Sequence, residues 1–107
     1  MGNGRMARYE TLSEIFKAIA HPTRLLIIEE LGKQNRCVSE LTEMVGSDTS
    51  TVSKHLALMK SAGIIANEKL GNQVFYSLRV SCILNFINCV ESVIESNAKE
   101  KIESINS

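Results

Sequence analysis

Apolar and polar positions between Val38 and Ile65 follow two helical periods separated by a break. Val38, Leu41, Thr42 and Val45 recur at i, i+3, i+4 and i+7, the spacing of one helix face. Gly46 follows, where a left-handed residue ends a helix cheaply. Ser47 and Asp48 then offer oxygens to cap a new helix, with Asp48 the better placed because the pattern resumes at Thr49. Val52, Leu56 and Met59 form the buried side of that helix. Leu58 and Ala62 flank it, Ala57 is small enough for either side, and Gly63 stops it. Upstream, Leu12, Ile15, Phe16 and Ile19 predict a helix over Thr11 to Ile19. Pro22 opens a second helix whose buried residues are Leu25, Leu26, Ile28 and Leu31, with Gly32 at its end. Downstream, Ile64 to Leu70 and Gln73 to Leu78 predict two strands, joined by Gly71-Asn72 in a type II′ or I′ turn. A last helix runs from Ser81 to Asn97.

The pattern is mainly α with a small β-hairpin, in the order α-α-α-α-β-β-α. A short Gly turn between two helices is common in small helical proteins. Here a hairpin follows directly, and that order is a winged helix-turn-helix, whose second helix lies in a DNA major groove. The outward residues of that helix start, Thr49, Ser50, Thr51, Ser53, Lys54 and His55, are the candidate base and phosphate contacts. Lys69, Asn72 and Gln73 at the wing tip are candidates for phosphate or minor-groove contact. The expected division is a flexible arm at 1–9, one DNA-binding and dimerisation domain at 10–97, and a polar, fraying tail at 98–107.

Charge sharpens this reading. The whole chain of 107 residues is formally neutral. Residues 49–82, however, carry Lys54, Lys60, Lys69 and Arg79 against Glu68 alone. Positive charge therefore collects where a double-stranded DNA operator would lie, while both flanking segments are acidic. No apolar run approaches the ~18 residues of a membrane span, so no membrane partner is expected. MGNGRMARYE lacks the apolar stretch of a secretory signal, which makes the cytoplasm the expected compartment. No phosphate-binding glycine loop, paired catalytic carboxylates or nucleophile motif is present, so no enzyme is expected.

Taken together, AHPTRLLIIEEL (Ala20 to Leu31), CVSEL (Cys37 to Leu41), STVSKHLALMKSAGII (Ser50 to Ile65) and GNQVFYSL (Gly71 to Leu78) resemble the ArsR/SmtB family of winged-helix repressors over residues 10 to 95. The resemblance implies a homodimer built on the first and last helices. It also implies a palindromic operator, with reader helices about one DNA turn apart, roughly 34 Å, and release when an inducer binds.

Cys37, Cys82 and Cys89 are the candidate inducer ligands. Free cysteine is also a small core residue. Cys82 and Cys89 stand about 10 Å apart along a helix, too far for one ion or one disulfide within a straight helix. A shared site must recruit Cys37 or the other subunit; Cys82 of one chain approaches Cys89 of the other if the last helices cross antiparallel near Asn85 and Phe86. Two stripes on that helix, Cys82-Phe86-Cys89-Val93 and Ile83-Ile87-Val90-Ile94, suit one face for the domain and one for a partner. Arsenic-type family members carry Cys-Val-Cys where this chain has Cys37-Val38-Ser39. The zinc-type ligand positions here are Val80, Cys82 and Val93. The remaining all-sulfur set favours thiophilic ions: trivalent arsenic first, then antimony, cadmium, lead or copper(I). No obligatory cofactor is expected. His21, ahead of Pro22, and His55, in the reader pattern, are poor ligands. An effector tying Cys37 to the last-helix thiols would shift the domain against the dimer interface. A redox or persulfide sensor of the same fold is the alternative. From another class, a winged-helix protein-interaction module is disfavoured by the basic, Ser/Thr-rich face.

Overall fold

Five helices and three short strands follow one another in the computed structural model, which describes residues 4–106. They are α1 (Gly4–Ile19), α2 (Pro22–Lys33), β1 (Arg36–Cys37), α3 (Val38–Val45), α4 (Thr49–Ser61), β2 (Ile65–Leu70), β3 (Gln73–Leu78) and α5 (Cys82–Asn106). The expected order holds, with β1 as an addition. β1 pairs antiparallel with β3, Arg36 opposite Tyr76 and Cys37 opposite Phe75, so the sheet runs β1-β3-β2. Two residues are too few to show a period of two, which is why the pattern gave no sign of this strand.

Local chemistry sets the helix ends. His21 is extended and its Nδ1 accepts the Thr23 N–H at 3.1 Å, with Pro22 as the first residue of α2. Glu40 reaches back from the first turn of α3 to accept the Cys37 N–H at 3.1 Å. Gly46 closes α3 in the left-handed region, φ 78°, donating its N–H to the Thr42 carbonyl. Asp48 caps α4, accepting the Thr51 N–H at 2.9 Å. In the wing, Leu70 faces Gln73 across Gly71-Asn72. Gly71 has φ 65° and no described non-glycine residue has positive φ, which selects type II′ over type I′.

Three expectations need correction. Gly32 does not end α2, which runs on to Lys33. A Cβ at Gly32 would lie 2.8 Å from Leu84 Cδ1, so the glycine admits α5 rather than stopping α2. Leu26 is exposed and Ile27 is fully buried, the reverse of the expected face. The outer helices are longer than expected. Residues 4–9 belong to α1 rather than to an arm, because Arg5 to Glu10 contain no helix breaker. Residues 98–106 belong to α5, where Ile94, Ala98, Ile102 and Ile105 continue the helical spacing. Residues 1–3 and 107 of the expected arm and tail lie outside the described residues.

The core gathers Ile27 and Ile28 of α2, Leu41 of α3, Val52, Leu56 and Met59 of α4, and Ile64 and Ile65 at the start of the wing. Ala18, Ile19, Leu31 and Ile83 close it. α4 is thus held along one whole side, which fixes what its other side presents. Beyond Ile83, Leu84 and Ile87 of α5 pack, partly buried, against this core. Phe86, Val90, Val93 and Ile94 are exposed, as are Tyr9, Leu12 and Phe16 on α1. The Phe16 and Phe86 rings approach to 6.3 Å and join these two apolar surfaces. Among the described residues, no helix is long and apolar enough to cross a membrane.

Candidate nucleic-acid interface

The start of α4 projects from the domain because its inner residues are anchored. Val52, Leu56 and Met59 are wholly buried, while Thr49, Ser50, Thr51, Ser53 and Lys54 are all exposed. Short hydroxyl side chains and one lysine therefore line the first two turns on the outward side. Such groups donate to and accept from base edges and phosphates without blocking the approach of a backbone. The N–H end of the helix adds a partial positive charge for phosphate, although the Thr51 N–H is already taken by Asp48.

Thr51 has a second duty. Its hydroxyl and its backbone N–H together hold the Asp48 carboxyl below the usual aspartate range, with smaller help from Ser50 and the charge of Lys54. Asp48 is thus an anion fixed at the threshold of the reader helix. It stabilises the helix start and disfavours close approach of a phosphate at that one point.

His55 is placed differently from the other candidates. It is half-buried, and its Nδ1 accepts the Arg24 Nε–H at 3.0 Å. The His21 ring lies 4.6 Å away, centroid to centroid. Burial pushes the His55 pKa below the ordinary histidine value, and the charges of His21 and Arg24 push it further down. The ring packs into the corner between α2 and α4, away from Ser53 and Lys54. Nothing in the local pattern marked Arg24 as its partner, because the two residues are 31 apart in the chain.

The wing supplies the second half of the surface. Lys69, Asn72 and Gln73 are exposed around the Gly71 turn, with Leu70 beside them. Arg79, just past β3, is also exposed, and its guanidinium reaches to within 3.8 Å of the Cβ position at Gly63. Its backbone N–H donates to the Ile64 carbonyl, tying the base of the wing to the end of α4.

The three cysteines occupy two environments. Cys37 is 5 % exposed and caps α3, with its Sγ 3.2 Å from Ser39 Oγ. Beside it, Arg36 bridges Glu30 of α2 and Glu40 of α3, at 3.5 Å to each. Cys82 and Cys89 are exposed on α5. Cys82 borders an apolar groove shared with Ile15, Phe16, Ile19 and Phe86. Among the described residues of one chain, no three Cys, His, Asp or Glu side chains stand close enough together to hold a metal ion. A single chain therefore does not assemble Cys37, Cys82 and Cys89 into one site.

Comparison with known proteins agrees with this architecture. The profile of the family described as bacterial regulatory protein, arsR family, matches residues 21–67. An uncharacterized HTH-type transcriptional regulator of Mycobacterium tuberculosis, Rv0081, is 30% identical over 95 residues, which cover 88% of this chain and 83% of that protein. Its crystal structure superimposes with a TM-score of 0.77, covering 88% of this chain and 95% of the other. The HTH-type transcriptional repressor SmtB of the same organism is 35% identical over 69 residues, 64% of this chain and 51% of its own. A homodimeric winged helix-turn-helix DNA-binding domain from Mycobacterium bovis shares the fold at a TM-score of 0.78, with 21% identity over 94% of this chain and 93% of that one. A regulator 30% identical across most of both chains, on the same winged fold, establishes that the chain belongs to the arsR family of bacterial DNA-binding transcriptional regulators, which are not enzymes.

Proposed function

We propose that this chain is a homodimeric repressor that binds a palindromic operator through α4 and the wing and leaves it when an inducer engages the thiols of α5. The observation that carries the DNA half is the two-sidedness of α4. Its inner side is wholly buried, while Thr49, Ser50, Ser53 and Lys54 are exposed on the outer side. Together with Lys69, Asn72 and Gln73, these residues are the proposed contacts. Two copies are needed for a twofold site, and the bare stripes of α1 and α5, joined at Phe16 and Phe86, are the surface that supports the pairing.

The inducer half rests on accessibility. Cys37 is seated in the core, whereas Cys82 and Cys89 are exposed on the same apolar stripe that supports dimerisation. Thiolates from two subunits can meet there if the α5 helices cross antiparallel. Trivalent arsenic, or another thiophilic ion, is the inducer this donor chemistry fits. A shift of α5 against its partner changes the spacing of the two reader helices and so the fit to the operator.

A second reading is favoured by a specific observation. Only two of the three thiols are exposed, and a disulfide or polysulfide bridge requires two thiols and an oxidant, not three ligands. The two readings separate in one experiment. The dimer is loaded on a duplex enriched from a random-sequence pool and challenged with arsenite or with a persulfide. Arsenite release with unchanged protein mass supports ion sensing. Release with a covalent bridge between subunits supports the redox reading. Retention on DNA under both challenges removes the α5 thiols as the trigger.

A further inference from the structure

One guanidinium ties three helices together at the middle of α4. Arg24 Nε donates to His55 Nδ1 at 3.0 Å, and Arg24 Nη1 reaches the Lys17 and Ala18 carbonyls at the end of α1, each at 3.4 Å. His21 stacks obliquely on His55, with its own Nδ1 already accepting the Thr23 N–H. The charged and titratable groups around this corner are His21 and Arg24 on α2, Lys54 beside His55 on α4, and Glu14 and Lys17 on α1. Glu14 is paired with Lys17 at 3.4 Å. Among the described residues, no carboxylate pairs with Arg24, so the imidazole acceptor is its side-chain partner.

We propose that His55 is a positioning residue and not a base reader: its neutral imidazole seats α4 on Arg24, and protonation there unseats the reader helix and weakens operator binding. The chemistry has one direction. A proton on Nδ1 removes the acceptor and sets a second cation within hydrogen-bond distance of a guanidinium, while the carboxylate of this corner, Glu14, is paired with Lys17. Burial and the neighbouring charges already disfavour that proton. The helix responds because His55 is one turn beyond Thr51 and immediately follows Lys54, so its seat sets the pose of the outward residues. This inference deepens the operator-binding reading and rests on it.

The sign makes the proposal testable. Acidification normally adds positive charge to a protein and strengthens its hold on phosphates. Here the wild-type dimer is expected to bind a duplex enriched from a random-sequence pool about tenfold more weakly at about pH 5.5 than at about pH 7.5. His55→Asn keeps an amide oxygen near the place of Nδ1 and does not titrate. Whatever its absolute affinity, its ratio between the two pH values is expected to fall towards one. Equal or tighter wild-type binding in acid overturns the proposal, and so does a His55→Asn ratio equal to that of the wild type. A second arm uses the DNA-free wild-type protein and NMR. Titration of the His55 ring should move the backbone amides of Val52 and Leu56 in parallel; a ring that titrates while those amides stay still also overturns it. If no duplex is enriched at any pH, the operator-binding reading fails, and the ring titration still decides whether His55 seats α4.

Discussion

Single residues act in this protein mainly at helix starts. Two carboxyls do comparable work there. Hydrogen bonds from the Cys37 backbone and side chain hold Glu40 below the usual glutamate range, with Arg36 adding to the shift, and Thr51 does the same for Asp48. Both are lowered in the folded state, so the unfolded chain binds more protons in acid. Their contribution to stability is present above the ordinary carboxylate values and is lost as pH falls through the lowered folded ones. Thermal unfolding followed between about pH 5 and about pH 3 should show that loss, and it should be smaller in an Asp48→Asn, Glu40→Gln variant. A core residue is expected to behave differently. Leu56 is fully buried against α2 and α3, and Leu56→Ala should cost about 2–5 kcal/mol in chemical denaturation at any pH. The sequence displayed the caps plainly, since Gly46 and Asp48 announce themselves by type and position. It did not display the partner of His55, because local periodicity says nothing about a residue 31 positions away. The exchange of Leu26 for Ile27 has a different origin. At about 100° per residue, Ile27 shares a face with Ile28 and Leu31 while Leu26 lies nearly opposite, so the helical period itself favours the observed burial.

Elements carry the proposed recognition. α3 and α4 were legible almost to the residue because each has an anchored face and a stop signal. The hairpin was legible because Gly71-Asn72 has the two-residue length that matches strand twist. β1 was not, since its pairing with β3 is a tertiary fact carried by two residues. The lengths of α1 and α5 were underestimated for different reasons: the first turns of α1 carry few apolar residues, whereas the Ile94-Ala98-Ile102-Ile105 spacing of α5 was present but interleaved with charged residues. The wing makes a quantitative prediction. If Lys69 meets a phosphate, Lys69→Ala should reduce the salt dependence of operator binding by about one unit of slope per subunit, with little change in sequence preference. An unaltered slope would place the wing tip away from the DNA backbone.

At the scale of the whole molecule, one domain leaves two long helices with apolar sides uncovered. Tyr9, Leu12 and Phe16 on α1 and Phe86, Val90, Val93 and Ile94 on α5 make a continuous surface larger than scattered apolar residues require. In the proposed function a second copy covers it, which also yields two reader helices related by a twofold axis. Val93→Asp with Ile94→Asp places charges in that surface and should convert a dimer to a monomer in sedimentation velocity, with operator binding lost in parallel. A variant that remains dimeric would move the interface elsewhere.

The central claim is that the outward side of α4 enters a DNA groove. Its most direct test is the affinity of a Ser53→Ala, Lys54→Ala double variant for a duplex enriched by the wild-type protein. Both side chains are exposed and outside the core, so the variant should unfold at an unchanged temperature. Binding should weaken by at least about tenfold, with reduced discrimination between duplexes, from the loss of one good base contact and one phosphate contact per subunit. Full affinity and unaltered sequence preference in that variant would contradict it.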